Sequence, residues 1–66
     1  MTNNIKVRRK ALGLTQNEVA KILSVSRQTI NCIENNKYNP TLELAMKLSR
    51  LLKTTVDDLF ILEDSQ

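Results

Sequence analysis

The sequence contains no histidine, no tryptophan and one cysteine, Cys32. A single cysteine excludes a disulfide framework within the chain, and without histidine it leaves no ligand set for a zinc site. Glycine and proline also occur once each, at Gly13 and Pro40, so no glycine-rich loop is present to hold a phosphate. Because the sequence lacks histidine, a second cysteine and a glycine-rich phosphate loop, we expect neither catalytic activity nor a metal or other cofactor.

Long apolar runs are absent as well. No stretch of 18 apolar residues occurs and residues 1–4 are polar, so the sequence shows neither a membrane span nor a signal peptide. The single unpaired cysteine suits a reducing compartment. We therefore expect a cytoplasmic protein with no membrane association. A length of 66 residues allows one small domain, over residues 1–66, and leaves no room for a separate small-molecule domain.

Positive charge is concentrated in the first part of the chain. Residues 1–40 carry seven lysines and arginines against two glutamates, a net charge of +5, whereas residues 41–66 have a net charge of −2. A basic surface attracts a polyanion, and the acidic end of the chain would be kept away from it. The distribution favours a nucleic-acid partner, although lysines also serve simply to keep a small protein in solution.

Two helix start signals occur in close succession near the middle of the chain. Thr15 followed by Glu18 is a capping box, which predicts a helix beginning at the residue after Thr15. Ser26 is a second N-cap residue and predicts a helix over residues 27–34. The connection between them is too short for antiparallel packing, so we expect a helix-turn-helix over residues 16–34. In that motif the second helix projects from the surface and can enter a DNA major groove.

The remaining sequence predicts three further helices and an all-α domain. A first helix precedes Gly13, a fourth follows the N-cap residue Thr41, and a short fifth follows Thr55, which forms another capping box with Asp58. The asparagine-rich segment 35–40 is predicted to be a loop. The expected fold is a compact bundle of five helices, over residues 4–12, 16–23, 27–34, 42–52 and 56–60.

Apolar residues recur at helical spacing and define the expected core. The residues predicted to face inward are Ile5, Leu12 and the stem of Arg9, then Val19, Ala20, Leu23, Val25, Ile30 and Ile33, and finally Leu44, Ala45, Leu48, Leu51 and Leu52. Since Ile30 and Ile33 face inward, the other faces of the third helix are at least partly exposed. Those faces carry Arg27, Gln28, Asn31 and Cys32.

The last predicted helix ends within a run of four consecutive apolar residues: Leu59, Phe60, Ile61 and Leu62. They cannot all face one small core from the end of a short helix, and contiguous exposed apolar surface usually marks an interface. We expect a homodimer to form through these four residues, with Ile61 and Leu62 as a short extended segment. The alternative is that the four residues fold back to complete the core with Ile5 and Val7.

Three motifs occur in order along the chain: Leu14-Thr15-Gln16-x-Glu18-x-Ala20, Val25-Ser26-x-x-Thr29-Ile30-x-x-Ile33-Glu34 and Asn39-Pro40-Thr41-Leu42. Together they resemble the XRE-type helix-turn-helix family, which includes the phage Cro and CI repressors, and in particular its short single-domain members. The resemblance covers nearly the whole chain and implies a lambda-repressor-like fold. Two positions differ, because the family often has glycine where this chain has Ser24 and Asn36.

The resemblance also implies a function. It predicts a sequence-specific transcriptional regulator, a repressor, that binds an inverted-repeat operator in double-stranded DNA as a homodimer. By resemblance Gln16 contacts a backbone phosphate, and the positive end of the helix dipole at that position favours the same role. The resemblance also pairs Arg9 with Glu34 in a structural salt bridge. The alternative function is an antitoxin, which binds DNA through the same fold and also binds a toxin protein.

The predicted DNA contacts divide into base readers and backbone contacts. Arg27 and Gln28 are the expected base readers, since arginine pairs with guanine and glutamine with adenine, and phosphate is the alternative partner of Arg27. Asn31, one turn later, is expected to contact either a base or the backbone. The loop after the third helix is expected to follow the sugar-phosphate strand, with packing on the fourth helix as the alternative for Tyr38. The complete predicted set is Gln16, Ser26, Arg27, Gln28, Thr29, Asn31, Asn36, Lys37, Tyr38 and Asn39.

Cys32 lies on the same predicted helix, where oxidation of its thiol would disturb a DNA complex. The sequence offers it no cysteine or histidine partner. Because a thiol without a nearby base usually behaves as a small side chain, we interpret Cys32 as structural and keep redox sensing as the alternative.

Overall fold

The computed structural model describes residues 1–63 and shows five helices joined by short connections. The helices are α1 (Ile5–Ala11), α2 (Gln16–Leu23), α3 (Arg27–Glu34), α4 (Leu42–Leu51) and α5 (Val56–Leu59). Two short strands, β1 (Thr2–Asn3) and β2 (Phe60–Ile61), lie at the two ends. The five-helix prediction is confirmed, with every helix boundary within one residue of the expected one. Of the helices in this part of the chain, none has the length and apolar character needed to span a bilayer.

The helices of the central motif begin where their capping residues predict. Thr15 Oγ1 accepts a hydrogen bond from the Glu18 backbone N–H at 3.1 Å, and Glu18 Oε1 accepts one from the Thr15 N–H at 2.8 Å. Both halves of the capping box are therefore present. Ser26 Oγ accepts a bond from the Thr29 N–H at 3.1 Å. Because each such cap contributes about 1 kcal/mol, local chemistry sets the starts of α2 and α3.

The capping box predicted before α5 is only half formed. Thr55 Oγ1 accepts a bond from the Asp58 N–H at 3.1 Å, but the Asp58 side chain does not accept one from the Thr55 N–H. Aspartate is one methylene shorter than the glutamate that completes the box before α2, and the reciprocal bond is typical of glutamate and glutamine.

All five helices contribute aliphatic side chains to one core. The fully buried residues are Ile5, Val19, Ile30, Ile33, Leu48, Leu52 and Leu59. Leu12, which was expected among them, is 39% exposed. The reason is local: α1 ends at Ala11 and the chain turns at Gly13, where φ is +72°, so Leu14 rather than Leu12 packs against the core.

The strands β1 and β2 pair antiparallel, with Thr2 opposite Ile61 and Asn3 opposite Phe60. An extended segment after α5 was expected from Ile61 onward and begins one residue earlier. The partner strand β1 was not predicted, because a run of two polar residues carries no strand pattern. The small sheet joins the start of the described chain to its end.

The apolar segment 59–62 divides between core and surface. Leu59 is fully buried and Phe60 is 8% exposed, so their prediction as dimer-interface residues is corrected: both complete the core of the single chain. Val7, which the alternative placed beside them, is 69% exposed and takes no part in the core. Ile61 and Leu62 are 45% and 85% exposed, so these two side chains are accessible to a second copy.

Among residues 1–63, three residues other than glycine have a left-handed backbone: Ser24 (φ 59°), Asn36 (φ 61°) and Lys53 (φ 59°). Ser24 follows α2 and Asn36 lies after α3, the two positions at which the resembling family often has glycine. Asparagine tolerates this conformation better than serine, since its side chain can form hydrogen bonds with the local backbone. Ser24 therefore bears more strain than Asn36.

Replacing Ser24 with glycine is expected to stabilise the domain by about 1 kcal/mol, because glycine adopts a positive φ without a clash at Cβ. For a domain of this size, that gain corresponds to a rise of about 4–8 °C in melting temperature, measured by circular dichroism. Ser24→Ala is the matched control: it removes the hydroxyl but keeps the Cβ, and it should give no gain. An equal rise in both variants would rule out backbone strain as the cause.

Candidate nucleic-acid interface

A tight turn at Ser24 and Val25 leads from α2 into α3. Left-handed Ser24 ends α2, and the Val25 N–H donates to the Ala20 carbonyl at 2.9 Å. Val25 is half-buried and packs against the core, which anchors the turn. Extended backbone at Ser26 (φ −78°, ψ 154°) then starts α3. The arrangement predicted for residues 16–34, two helices joined by a tight turn, is present.

The helix α3 presents polar side chains to solvent. Its two isoleucines are buried, whereas Arg27, Gln28 and Asn31 are exposed. Residues three, four and seven positions apart share one side of a helix. Gln28, Asn31 and Asn35 therefore lie along one side, here called the outer face of α3. Side chains able to read base edges are available on this face.

Ser26 and Thr29 are engaged with each other at the start of α3. The Ser26 and Thr29 hydroxyl oxygens lie 2.9 Å apart, and the same Ser26 oxygen caps the helix. Ser26 is exposed and Thr29 is half-buried. Their hydroxyls therefore hold the helix start, and contacts of either residue with DNA stay predictions.

Gln16 is half-buried, and its side chain turns towards α3. Its Nε2 donates to Glu34 Oε1 at 3.0 Å and to Asn31 Oδ1 at 3.4 Å. Because both N–H bonds of this amide are directed at protein acceptors, the side chain does not offer them to a phosphate in this conformation. The first backbone N–H groups of α2 have no partner within the helix, and they are the donors left for an anion.

Arg9 and Glu34 form the ion pair expected from the resemblance. Arg9 Nε donates to Glu34 Oε2 at 2.7 Å and Nη2 donates to Oε1 at 3.3 Å, and the two side chains are 9% and 3% exposed. Arg9 Nη1 also donates to the Leu14 carbonyl at 2.9 Å. Together with the Gln16 bond, these contacts connect α1, α2 and the end of α3. The network fixes how α3 is held on the domain.

The loop that follows α3 is exposed over residues 36–39. Asn36 Oδ1 accepts a hydrogen bond from Asn3 Nδ2 at 3.1 Å, and the same Asn3 nitrogen donates to the Ile33 carbonyl at 2.8 Å. The β1 strand thus supports the point at which the chain leaves α3. The side chains of Lys37 and Asn39, in the same loop, are exposed to solvent.

Tyr38 lies between α3 and α4 and is 46% exposed. It lines one shallow pocket of about 360 Å³ with Leu44 and Lys47, and another of about 290 Å³ with Gln28 and Cys32. This position is compatible with both roles predicted for it, packing on α4 and contacting DNA.

Cys32 itself is a free, half-buried thiol, and within residues 1–63 it belongs to no group of three or more potential metal ligands.

The roles of three residues at or near this site, Asn3, Arg8 and Asn35, are not among those predicted from the sequence. Asn35 Nδ2 donates to the Asn31 carbonyl at 2.9 Å and to Asn31 Oδ1 at 2.8 Å. Arg8 donates to the Leu52 and Lys53 carbonyls at 3.1 and 2.9 Å, so it caps the end of α4. Spacing i, i+4 could have revealed Asn35. No local pattern predicts the roles of Arg8 and Asn3, because their hydrogen-bond partners lie 44 and 30 residues away.

Comparison with known proteins agrees with this geometry. A family model described as helix-turn-helix matches residues 5–59. The chain is 46% identical over 66 residues to an uncharacterised HTH-type transcriptional regulator of Methanocaldococcus jannaschii, covering 100% of both chains. It is 42% identical over 66 residues to one of Archaeoglobus fulgidus, covering 100% of this chain and 94% of the relative. A Bacillus subtilis regulator is 34% identical over 64 residues, 97% of each chain. The chain therefore belongs to the XRE-type helix-turn-helix family that its motifs resemble.

Proposed function

We propose that the protein is a sequence-specific DNA-binding transcriptional regulator, a repressor that binds an inverted-repeat operator as a homodimer. The observation that carries the proposal is the exposed polar side of α3, where Arg27, Gln28 and Asn31 project from a helix held by the buried Arg9–Glu34 pair. The names of the full-length relatives, HTH-type transcriptional regulators, support the same function. Repression follows if a dimer bound at a promoter occludes the polymerase.

In the proposed complex, residues 26–32 enter the major groove of one half-site. Arg27 pairs with guanine O6 and N7, and Gln28 pairs with adenine N6 and N7. The backbone N–H groups at the start of α2 bind one phosphate, and Lys37 binds another. The other predicted contacts position the domain on the DNA backbone, through Ser26, Thr29, Asn36, Tyr38 and Asn39.

The homodimer is proposed to form through Ile61 and Leu62. These neighbouring apolar side chains are exposed at the end of the small sheet, and contiguous apolar exposure favours burial against a second copy. A two-fold axis makes such a contact self-complementary and presents one α3 to each half-site. The half-sites would then be centred about one helical turn, roughly 34 Å, apart.

The double variant Arg27→Ala, Gln28→Ala is expected to lose sequence-specific binding while keeping its fold. Each side chain contributes about 1–3 kcal/mol of base discrimination, so operator affinity should fall about a hundredfold or more. Both side chains are exposed, and the melting temperature should change little. Fluorescence anisotropy with labelled operator measures the loss, and Arg50→Ala, an exposed arginine of α4, is the control for charge. Unchanged operator affinity in the double variant would instead indicate a helical domain that binds proteins.

Selection from a randomised duplex pool at near-physiological salt tests the proposal as a whole. Recovery of an inverted repeat with half-sites about one turn apart supports both the symmetric dimer and sequence reading. Recovery of no preferred sequence contradicts the proposal. For a dimer that neutralises about eight phosphates, log K should fall against log salt with a slope near −7, and a slope near zero would contradict the phosphate contacts.

A further inference from the structure

The side-chain amide of Asn31 is held in one orientation by its neighbours. Asn35 Nδ2 donates to the Asn31 carbonyl at 2.9 Å and to Asn31 Oδ1 at 2.8 Å. Gln16 Nε2 approaches the same Oδ1 at 3.4 Å from the side of α2. The Asn31 amide oxygen therefore receives two donors, whereas its Nδ2 makes no hydrogen bond to any residue between 1 and 63.

The orientation follows from partners whose polarity is fixed. The two ends of an asparagine or glutamine amide are distinguished by the hydrogen bonds that they make. The Asn31 backbone carbonyl can only accept, so it turns the NH₂ group of Asn35 towards Asn31. The Glu34 carboxylate can only accept, so it turns the NH₂ group of Gln16 towards α3. Both neighbours present N–H groups, and Asn31 meets them with its oxygen.

We infer that Asn31 is a specificity-determining residue that offers DNA two N–H donors and no acceptor, and so selects guanine against adenine. This inference rests on the proposed function. An asparagine that reads adenine must accept from N6 and donate to N7. Asn31 cannot do both, because its oxygen is already occupied by Asn35 and Gln16. Guanine presents two acceptors, O6 and N7, at the same edge of the major groove.

The position of Asn31 suits this role. It is exposed and lies three residues after Gln28 on the outer face of α3, so it meets the groove about one helical turn beyond that base reader. The NH₂ group of Asn31 would also suit a phosphate oxygen, since that oxygen is likewise an acceptor. A base contact changes which sequence is preferred, whereas a phosphate contact changes affinity for all sequences alike.

The test is to select operators from one randomised duplex pool with the wild type and with Asn31→Asp. Aspartate keeps one oxygen for Asn35 and Gln16 but replaces the NH₂ group, which has no partner within residues 1–63, with a second acceptor. Carboxylates accept from cytosine N4, so the preferred base at one position of each half-site should change from guanine to cytosine. Affinity for the wild-type operator should fall about tenfold beyond the loss caused by added charge alone.

Asn17→Asp measures that loss from charge. It makes the same substitution at an exposed asparagine of α2, a residue to which no DNA contact is assigned. It should weaken binding to all sequences and change no preferred base. A second variant, Asn35→Ala, removes one of the two donors to Asn31 Oδ1 and lets the Asn31 amide turn over. Its guanine preference over adenine should then drop from about tenfold to about twofold.

The outcomes separate the inference from the function on which it rests. A wild type that selects no operator overturns the proposed function and this inference together. A wild type that selects an operator, with an Asn31→Asp variant that keeps every base of it, overturns the inference alone and assigns Asn31 to a phosphate. Melting curves of all three variants, compared with wild type, show whether each is folded under the selection conditions.

Discussion

Replacing Glu34 with alanine is expected to leave much of the protein unfolded at 25 °C. Glu34 is 3% exposed at its side chain and accepts hydrogen bonds from Arg9 at 2.7 Å and Gln16 at 3.0 Å. Its removal leaves the Arg9 guanidinium buried with one remaining acceptor, the Leu14 carbonyl. Breaking a buried pair costs about 3–5 kcal/mol, which is comparable to the total of about 3–5 kcal/mol that so small a core supplies.

Circular dichroism at 222 nm and urea titration measure the effect. Glu43→Ala is the matched control, since Glu43 pairs with Lys47 at 3.1 Å but the two side chains are 79% and 55% exposed. An exposed pair of this spacing contributes only about 0.3–0.5 kcal/mol. If Glu34→Ala lost no more stability than Glu43→Ala, the buried pair would not be the support of α3 that its geometry indicates.

A double substitution distinguishes the cost of leaving the Arg9 charge buried without a partner from the loss of the attraction between Arg9 and Glu34. Arg9→Met combined with Glu34→Leu removes both charges and fills the space with apolar groups. The double variant should regain part of the stability that Glu34→Ala loses, because no unpaired charge remains buried. Its destabilisation should also be smaller than the sum of the two single substitutions, as expected for residues in one network.

The parts of this fold that the sequence predicts are those with local causes. The Thr15–Glu18 box and the Ser26 cap each depend on residues three positions apart, so the starts of α2 and α3 are visible in the sequence. The polar side of α3 follows in the same way, because two buried isoleucines at helical spacing leave the other faces outward. The Arg9–Glu34 pair is different: its partners are 25 residues apart, and only the family resemblance pointed to it.

The parts that escaped prediction depend on distant contacts. The family resemblance assigns Gln16 to a phosphate, and that contact stays a prediction; what the sequence did not indicate is that its amide turns to Glu34, 18 residues away. The strand β1 exists only because β2 lies beside it, almost a chain length away. The same pairing draws Phe60 into the core and reduces the exposed part of the apolar segment to its last two residues. Helical periodicity contains no information about such contacts.

The double variant Ile61→Asp, Leu62→Asp is expected to abolish the proposed homodimer and to lower operator affinity by about a hundredfold or more. The side chains are 45% and 85% exposed, so they are accessible to a second copy and their replacement should disturb the monomer core little. A carboxylate buried between two copies would lose its hydration without gaining a partner. Two half-sites bound by linked subunits gain about 10²–10⁴ in avidity, and a monomer forfeits that gain.

Sedimentation equilibrium measures the change directly, because a monomer has a mass of 7.5 kDa and the proposed dimer has twice that mass. Leu42→Asp is the matched control, since Leu42 is 72% exposed on α4 and should leave the dimer intact. Monomers from Leu42→Asp and dimers from the double variant would place the interface on α4 instead. The melting temperature gives an independent reading. Dimerisation stabilises the folded state by mass action. The melting temperature of the wild type should therefore rise with protein concentration, whereas that of the double variant should stay constant.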